Sequence, residues 1–257
     1  MVSLVACGVF LRWSSAVVRL PLWVAVAWWL GGVAGVAAAE VQAHGLVFEK
    51  WLRETFFGGY EPPGYTQKWD IPATANPDHG GIPVNPKAVK FGAPIDLGDA
   101  LRQFEIAEPF LLIVGFWEQL NATEKRWVNL QAVRVVPADW KKLWGQVTRA
   151  DLEKLVAVIK DPALSLEQAR AQVLTLKAAA PFNTAVIQLN PKLDRSQRRL
   201  QCSLSFAAFF EHLAPAADRK PQAQPKVFGV PVPVRFESPP RAFPAADSTP
   251  PKTMERQ

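Results

Sequence analysis

Eight consecutive apolar residues, Phe110 to Trp117 (FLLIVGFW), constrain this chain more than any other segment. A run of strand length without a polar position predicts a central strand, because such a run needs apolar cover on both faces of a sheet. Trp127 to Val136 alternates enough to pair with it across the polar turn Asn121 to Arg126. Around this pair the sequence supplies helices. Residues Glu40 to Phe57 carry Val41, Phe48, Trp51, Leu52 and Phe56 at helical spacing, and Gly58-Gly59 stops the run. Ile95 to Phe104 suits a short helix. Ala138 to Trp144, Arg149 to Lys160 and Leu166 to Ala179 form three more, with Pro162 separating the last two.

Further strands are predicted at Tyr65 to Ile71 and Ile82 to Lys90, joined by the turn-forming Asn76 to Gly81. Pro83 and Pro86 push the second of these towards an edge or a bulge, since proline donates no ladder hydrogen bond. Thr184 to Leu189 and Arg199 to Phe206 read as another strand pair, and Ala207 to Leu213 as a last helix. The order implies an α/β fold with a mixed central β-sheet flanked by α-helices.

The ends differ from the middle. Leu20 to Ala39 holds no charged side chain and follows Arg12 and Arg19. Residues 1–39 therefore read as a signal peptide or, uncleaved, as a membrane anchor of roughly 20 residues. Their loss would lower the formal charge of +6 by two and leave a mildly basic chain, which permits a polyanionic partner without requiring one. Cys7 falls in this segment, leaving Cys202 without an intrachain partner in a cleaved product. One domain, 40–215, is expected between this segment and a proline-rich tail, 216–257, expected to be disordered.

Four residues form a candidate site. Glu49 lies beside the apolar stripe of the first helix, where it reaches a sheet or pairs with Arg53 one turn on. Asp70 sits in a predicted strand, where acids are depleted, so it either binds a cation or bonds the following turn. Asn85 and Lys87 are two apart and share one face of an extended strand. An amide oxygen suits a hard cation, and an ammonium beside it can hold water or a phosphate charge. Asp96 and Asp99 read as caps of the Ile95 to Phe104 helix. Lys192, Arg195, Arg198 and Arg199 cluster on a turn and strand, where they clamp phosphates or line a solvated hairpin; Arg102 and Gln103 are further candidates for phosphate contacts. His44, His79 and His212 are scattered, which argues against zinc, and neither a glycine-rich phosphate loop nor a G-x-S-x-G elbow occurs.

The helical Glu49, Asp70, and the following Asn85-Pro86-Lys87 together resemble the PD-(D/E)xK pattern of the restriction-endonuclease-like nuclease superfamily. The helix–strand–strand–strand order is similar to that superfamily's core. Two positions depart from it: Trp69 stands where the name-giving proline would be, and Asn85 where an acid is usual. The resemblance implies a restriction-endonuclease-like core over residues 40 to 215. It further implies Mg²⁺ or Mn²⁺ on Glu49, Asp70 and Asn85, Lys87 assisting the water, and DNA rather than RNA as substrate. With the apolar start, the expectation is an exported endonuclease. The alternatives are a non-catalytic envelope binding or structural protein, and an interaction protein anchored through residues 20–39.

Overall fold

A computed structural model describes residues 44–63, 68–194 and 197–238 of the chain. The segment 1–39, Arg195 and residues 239–257 lie outside the described residues, so the expectations placed on them meet no structural observation.

The Phe110 to Trp117 run becomes the middle of the molecule. It forms most of β3 (Phe110–Gln119), every residue of the run being buried. β3 pairs in parallel with β1 (Val84–Lys90) and antiparallel with β4 (Glu124–Val135), giving with β9 (Arg235–Glu237) a sheet ordered β1-β3-β4-β9. Because side chains alternate along a strand, β3 serves two cores. Phe110, Leu112, Val114 and Phe116 enter the larger, and Leu111, Ile113 and Trp117 the smaller.

The smaller core lies under α1 (residues 44–56), whose Phe48 and Leu52 are fully covered. Gly115 permits that approach. A Cβ there would come within 2.8 Å of the Phe48 ring and 2.9 Å of Trp127. The larger core is closed by α3 (Pro137–Lys142), α4 (Arg149–Lys160), α5 (Leu166–Ala178) and a second sheet, ordered β2-β6-β5. That sheet is antiparallel and comprises β2 (Ile95–Asp99), β6 (Arg198–Leu204) and β5 (Gln188–Leu193). Capping boxes at Thr148/Asp151 and Ser165/Gln168 start α4 and α5 by satisfying their first N–H groups. The molecule is thus α/β, a mixed central sheet with helices on both sides.

Four local expectations are corrected. Ile95 to Phe104 is not one helix: its first half is β2, and only Ala100–Phe104 turns into the short helix α2. Ile95 and Leu97 are buried at period two, and Gly98 takes φ +86°, which no right-handed helix contains. Tyr65 to Ile71 is not a strand over its described part, residues 68–71. Only Ile71 bridges, to Val84, before the short 3₁₀ turn at Ala73–Ala75. The pair expected at Thr184 to Leu189 starts later, at Gln188, and continues through Pro191, which an edge strand tolerates.

The fourth correction concerns the tail. Residues 216–238 are built into the fold: β9 pairs with β4, β7 (Lys226–Val227) and β8 (Val230–Pro231) form a hairpin, and Val227 and Val232 are each 3 % exposed. Proline-rich composition is compatible with packing when the few apolar residues meet an existing core. Among the described residues no helix is long and apolar enough to cross a membrane.

Candidate functional site

β1 is an edge strand, and its outer flank meets the edge of the second sheet at β2. Between them lies a polar cavity of about 320 Å³, lined by Lys68, Asp70, Asn85, Lys87, Asp96, Leu97, Gly98, Arg102 and Gln103. Three of the four candidate residues therefore share one concavity.

Each is held for a traceable reason. The Ile71–Val84 bridge ties the segment before it to the start of β1, so Asp70 is carried alongside Asn85 and Lys87. Lys68 and the Trp69 indole N–H both donate to Glu108, at 2.6 and 2.9 Å, and the Trp69 ring packs on Phe110 at 5.1 Å. Those bonds hold the Glu108 carboxyl below the ordinary carboxylate range. They also anchor Asp70 from its N-terminal side. Asn85 is 5 % exposed, and Lys87 Nζ stands 3.7 Å from Asp70 Oδ2.

Glu49 lies on α1, over the opposite face of the central sheet from the larger core. It does not line the cavity, but its carboxyl is pushed above the ordinary range by burial first and by the Asp70 charge second; Lys87 and Arg53 oppose the shift.

The β2–α2 wall was misread from sequence. Asp99 does cap α2, accepting the Arg102 N–H at 2.9 Å. Asp96 caps nothing: it sits in β2, accepts the Gly98 N–H at 2.9 Å and lines the cavity. Gln103, 6 % exposed, lines the cavity with its Oε1 unpartnered. Lys68 was not singled out at all. The alternation Ile95-Asp96-Leu97 is the signal by which Asp96 could have been found. Lys68 carries no comparable signal.

The basic cluster divides. Arg198 is engaged, its guanidinium donating to the carbonyls of Asp161 at 2.5 Å and Leu164 at 3.0 Å, so it ties β6 to the α4–α5 connection. Lys192 and Arg199 are exposed and face each other in register across the β5–β6 hairpin.

Among the described residues no group of three His, Cys, Asp or Glu side chains could hold a metal. The oxygen donors that border the cavity are the Asp70 and Asp96 carboxylates and the Asn85 and Gln103 amides, with Glu49 outside it on α1; an all-oxygen set of this kind could hold Mg²⁺ or Mn²⁺ rather than zinc. Cys202 is buried in the larger core, where desolvation raises its thiol pKa and keeps it unreactive. His79 is half-buried and stacked on Phe228 at 3.9 Å. Compared with known proteins, the chain matches no family model, no curated protein and no solved structure. The likeness to PD-(D/E)xK enzymes rests on the motif residues alone.

Proposed function

We propose that the chain is a metal-dependent nuclease that hydrolyses phosphodiester bonds, with DNA as its substrate, at the β1–β2 cavity. The observation that carries this reading is the contact of Lys87 with Asp70 in a polar cavity shared with Asn85, with Glu49 coupled to both. Glu49, Asp70 and Asn85 supply the oxygens to hold Mg²⁺ or Mn²⁺, and the ion, when bound, supplies Lewis-acid stabilisation of phosphoryl charge. Lys87 is the group at the rim: its ammonium donates to a water or to a non-bridging phosphoryl oxygen. Attack by that water forms one P–O bond as the bond to the leaving ester oxygen breaks, and a proton passes to the leaving side. The half-closed cavity keeps these charges in a medium less screening than bulk water.

Asn85 in place of an acid favours a second reading, a non-catalytic protein that binds nucleic acid at the envelope. With Leu20 to Ala39 read as an export segment, either activity would act outside the cytoplasm.

The test uses the full-length chain with plasmid DNA and Mg²⁺, with EDTA as control. The expected result is cleavage that EDTA abolishes and that Lys87→Ala or Asp70→Asn reduces at least about a hundredfold, the scale of losing one charge-stabilising group, while melting temperature is kept. Unchanged cleavage in Lys87→Ala overturns the assignment. Binding without hydrolysis under any divalent cation selects the second reading.

A further inference from the structure

We propose that the polar face of the β2-β6-β5 sheet is the track on which a single nucleic-acid strand lies as it enters the cavity, held through its phosphates. The inference rests on the nuclease reading of the cavity and adds where the substrate binds outside it.

The sheet is two-sided by alternation. Leu189, Leu193, Leu200, Cys202 and Leu204 are buried against the helices. The other face carries polar side chains, exposed at Gln188, Lys192 and Arg199, half-buried at Asn190 and Gln201, and buried at Ser203. Register makes it continuous with the cavity: Asp96, a cavity residue, pairs with Ser203, which pairs with Gln188 at the outer edge. Ser203 Oγ accepts from Asn190 Nδ2 at 2.8 Å and lies 3.3 Å from Gln188 Oε1, so the amides are ordered before any ligand arrives. One row further, Gln201 pairs with Asn190 on one side and with Asp99 of β2 on the other, and beyond them Arg199 pairs with Lys192.

That last pair identifies the occupant. Like charges directly opposite on neighbouring strands destabilise the pairing, and an anion placed between them reverses the sign. Among the described residues neither cation has a carboxylate partner. Asp194, the nearest acid along the chain, instead accepts the Gln197 backbone and side-chain N–H groups in the hairpin turn, both at 2.9 Å. Arg198, on the opposite face, pins the hairpin to the α4–α5 connection and keeps the two cations in position. With cations at the hairpin end and amides on β5 and β6 between them and the cavity, a polymer with spaced negative charges would run along the Gln201, Asn190 and Gln188 side, away from the Asp99 and Asp96 carboxylates on β2. Since the face presents no aromatic side chain, the contacts are with backbone phosphate and sugar and do not discriminate sequence.

The test measures binding of a fluorescein-labelled 20-nucleotide DNA strand to the full-length chain in EDTA, by anisotropy between 50 and 200 mM salt. The double variant Lys192→Gln/Arg199→Gln is expected to bind roughly tenfold more weakly at the low-salt end. Its log–log salt slope should be shallower by about 1.4, two phosphate contacts at about 0.7 each on a single strand. Gln201→Glu, which adds a repelling charge mid-track, should weaken binding in the same direction, and Lys50→Gln/Lys154→Gln on other surfaces should change nothing. If the double variant keeps the wild-type slope while wild type binds and cleaves, the track is wrong and the cavity reading survives. If wild type cleaves with Mg²⁺ but binds no oligonucleotide in EDTA, the track fails and the cavity reading survives; if it neither binds nor cleaves, both fail. Preferential binding to phosphatidylserine vesicles over the oligonucleotide would also overturn the track.

Discussion

β3 and β6 are each the inner strand of a sheet, yet they have opposite fates. β3 is buried on both faces because α1 covers one and the larger core the other, so every position from Phe110 to Trp117 is apolar or glycine. β6 meets the larger core on one face, and its other face carries polar side chains, with Arg199 exposed, Gln201 half-buried and Ser203 buried next to β2. The difference teaches where chemistry can sit in this fold. A strand sealed on both sides can only support; the polar side chains collect where the supported edge strand β1 meets the half-open sheet at β2. The cavity lies on that seam.

The comparison breaks most easily in the sealed strand. Phe116 is fully buried among Phe91, Phe206, Phe209 and Phe210. Phe116→Ala is expected to lower unfolding free energy by about 3–5 kcal/mol through lost burial and the cavity left behind, measured by urea denaturation. A loss of less than about 1 kcal/mol would mean that the strand is not sealed.

A middle-sized effect is expected at the seam. Glu49 has a folded pKa above its unfolded value, so between the two the native state holds a proton that the unfolded state has released. Stability therefore falls as pH rises through that window, and the penalty is complete above the folded pKa. Unfolding midpoints in EDTA from pH 4 to 8 should show Glu49→Gln gaining on wild type as pH rises. Parallel pH profiles would mean that burial and the Asp70 charge do not raise the Glu49 pKa. Glu108, shifted the other way by Lys68 and Trp69, contributes in the opposite sense: its stability is present above the unfolded pKa and is lost as pH falls through the folded one. It is largely exposed, so solvent screening keeps that contribution small.

The smallest effect belongs to the half-open sheet. Gln201→Ala on its polar face is expected to change stability by less than about 0.5 kcal/mol. A larger loss in the same denaturation series would show that this face is covered after all.

Much of this was legible in the residues. The central strand, its partner β4, and α4 over Arg149–Lys160 follow from burial period and from capping residues, which are local signals. Lys87 and Asn85 were legible as a same-face pair. β2 was not, because Ile95 and Leu97 also fit a helical start and only their pairing with β6 selects the extended form. Arg198 was indistinguishable from Arg199 by sequence, since their difference is which sheet face each occupies. β9 was hidden inside a proline-rich stretch, where Phe236 gains its place by stacking on Trp127 at 4.4 Å, a partner more than a hundred residues away.

Sequence alone determined that this chain makes an α/β molecule around a doubly buried strand, because apolar periodicity and helix caps act over a few residues. Tertiary structure alone decided that Asp70, Asn85, Lys87 and Asp96 border one cavity with Glu49 beside it. It also decided that a tail rich in proline completes a sheet. Both depend on contacts between segments distant along the chain, whose free energy is realised only when the layers close.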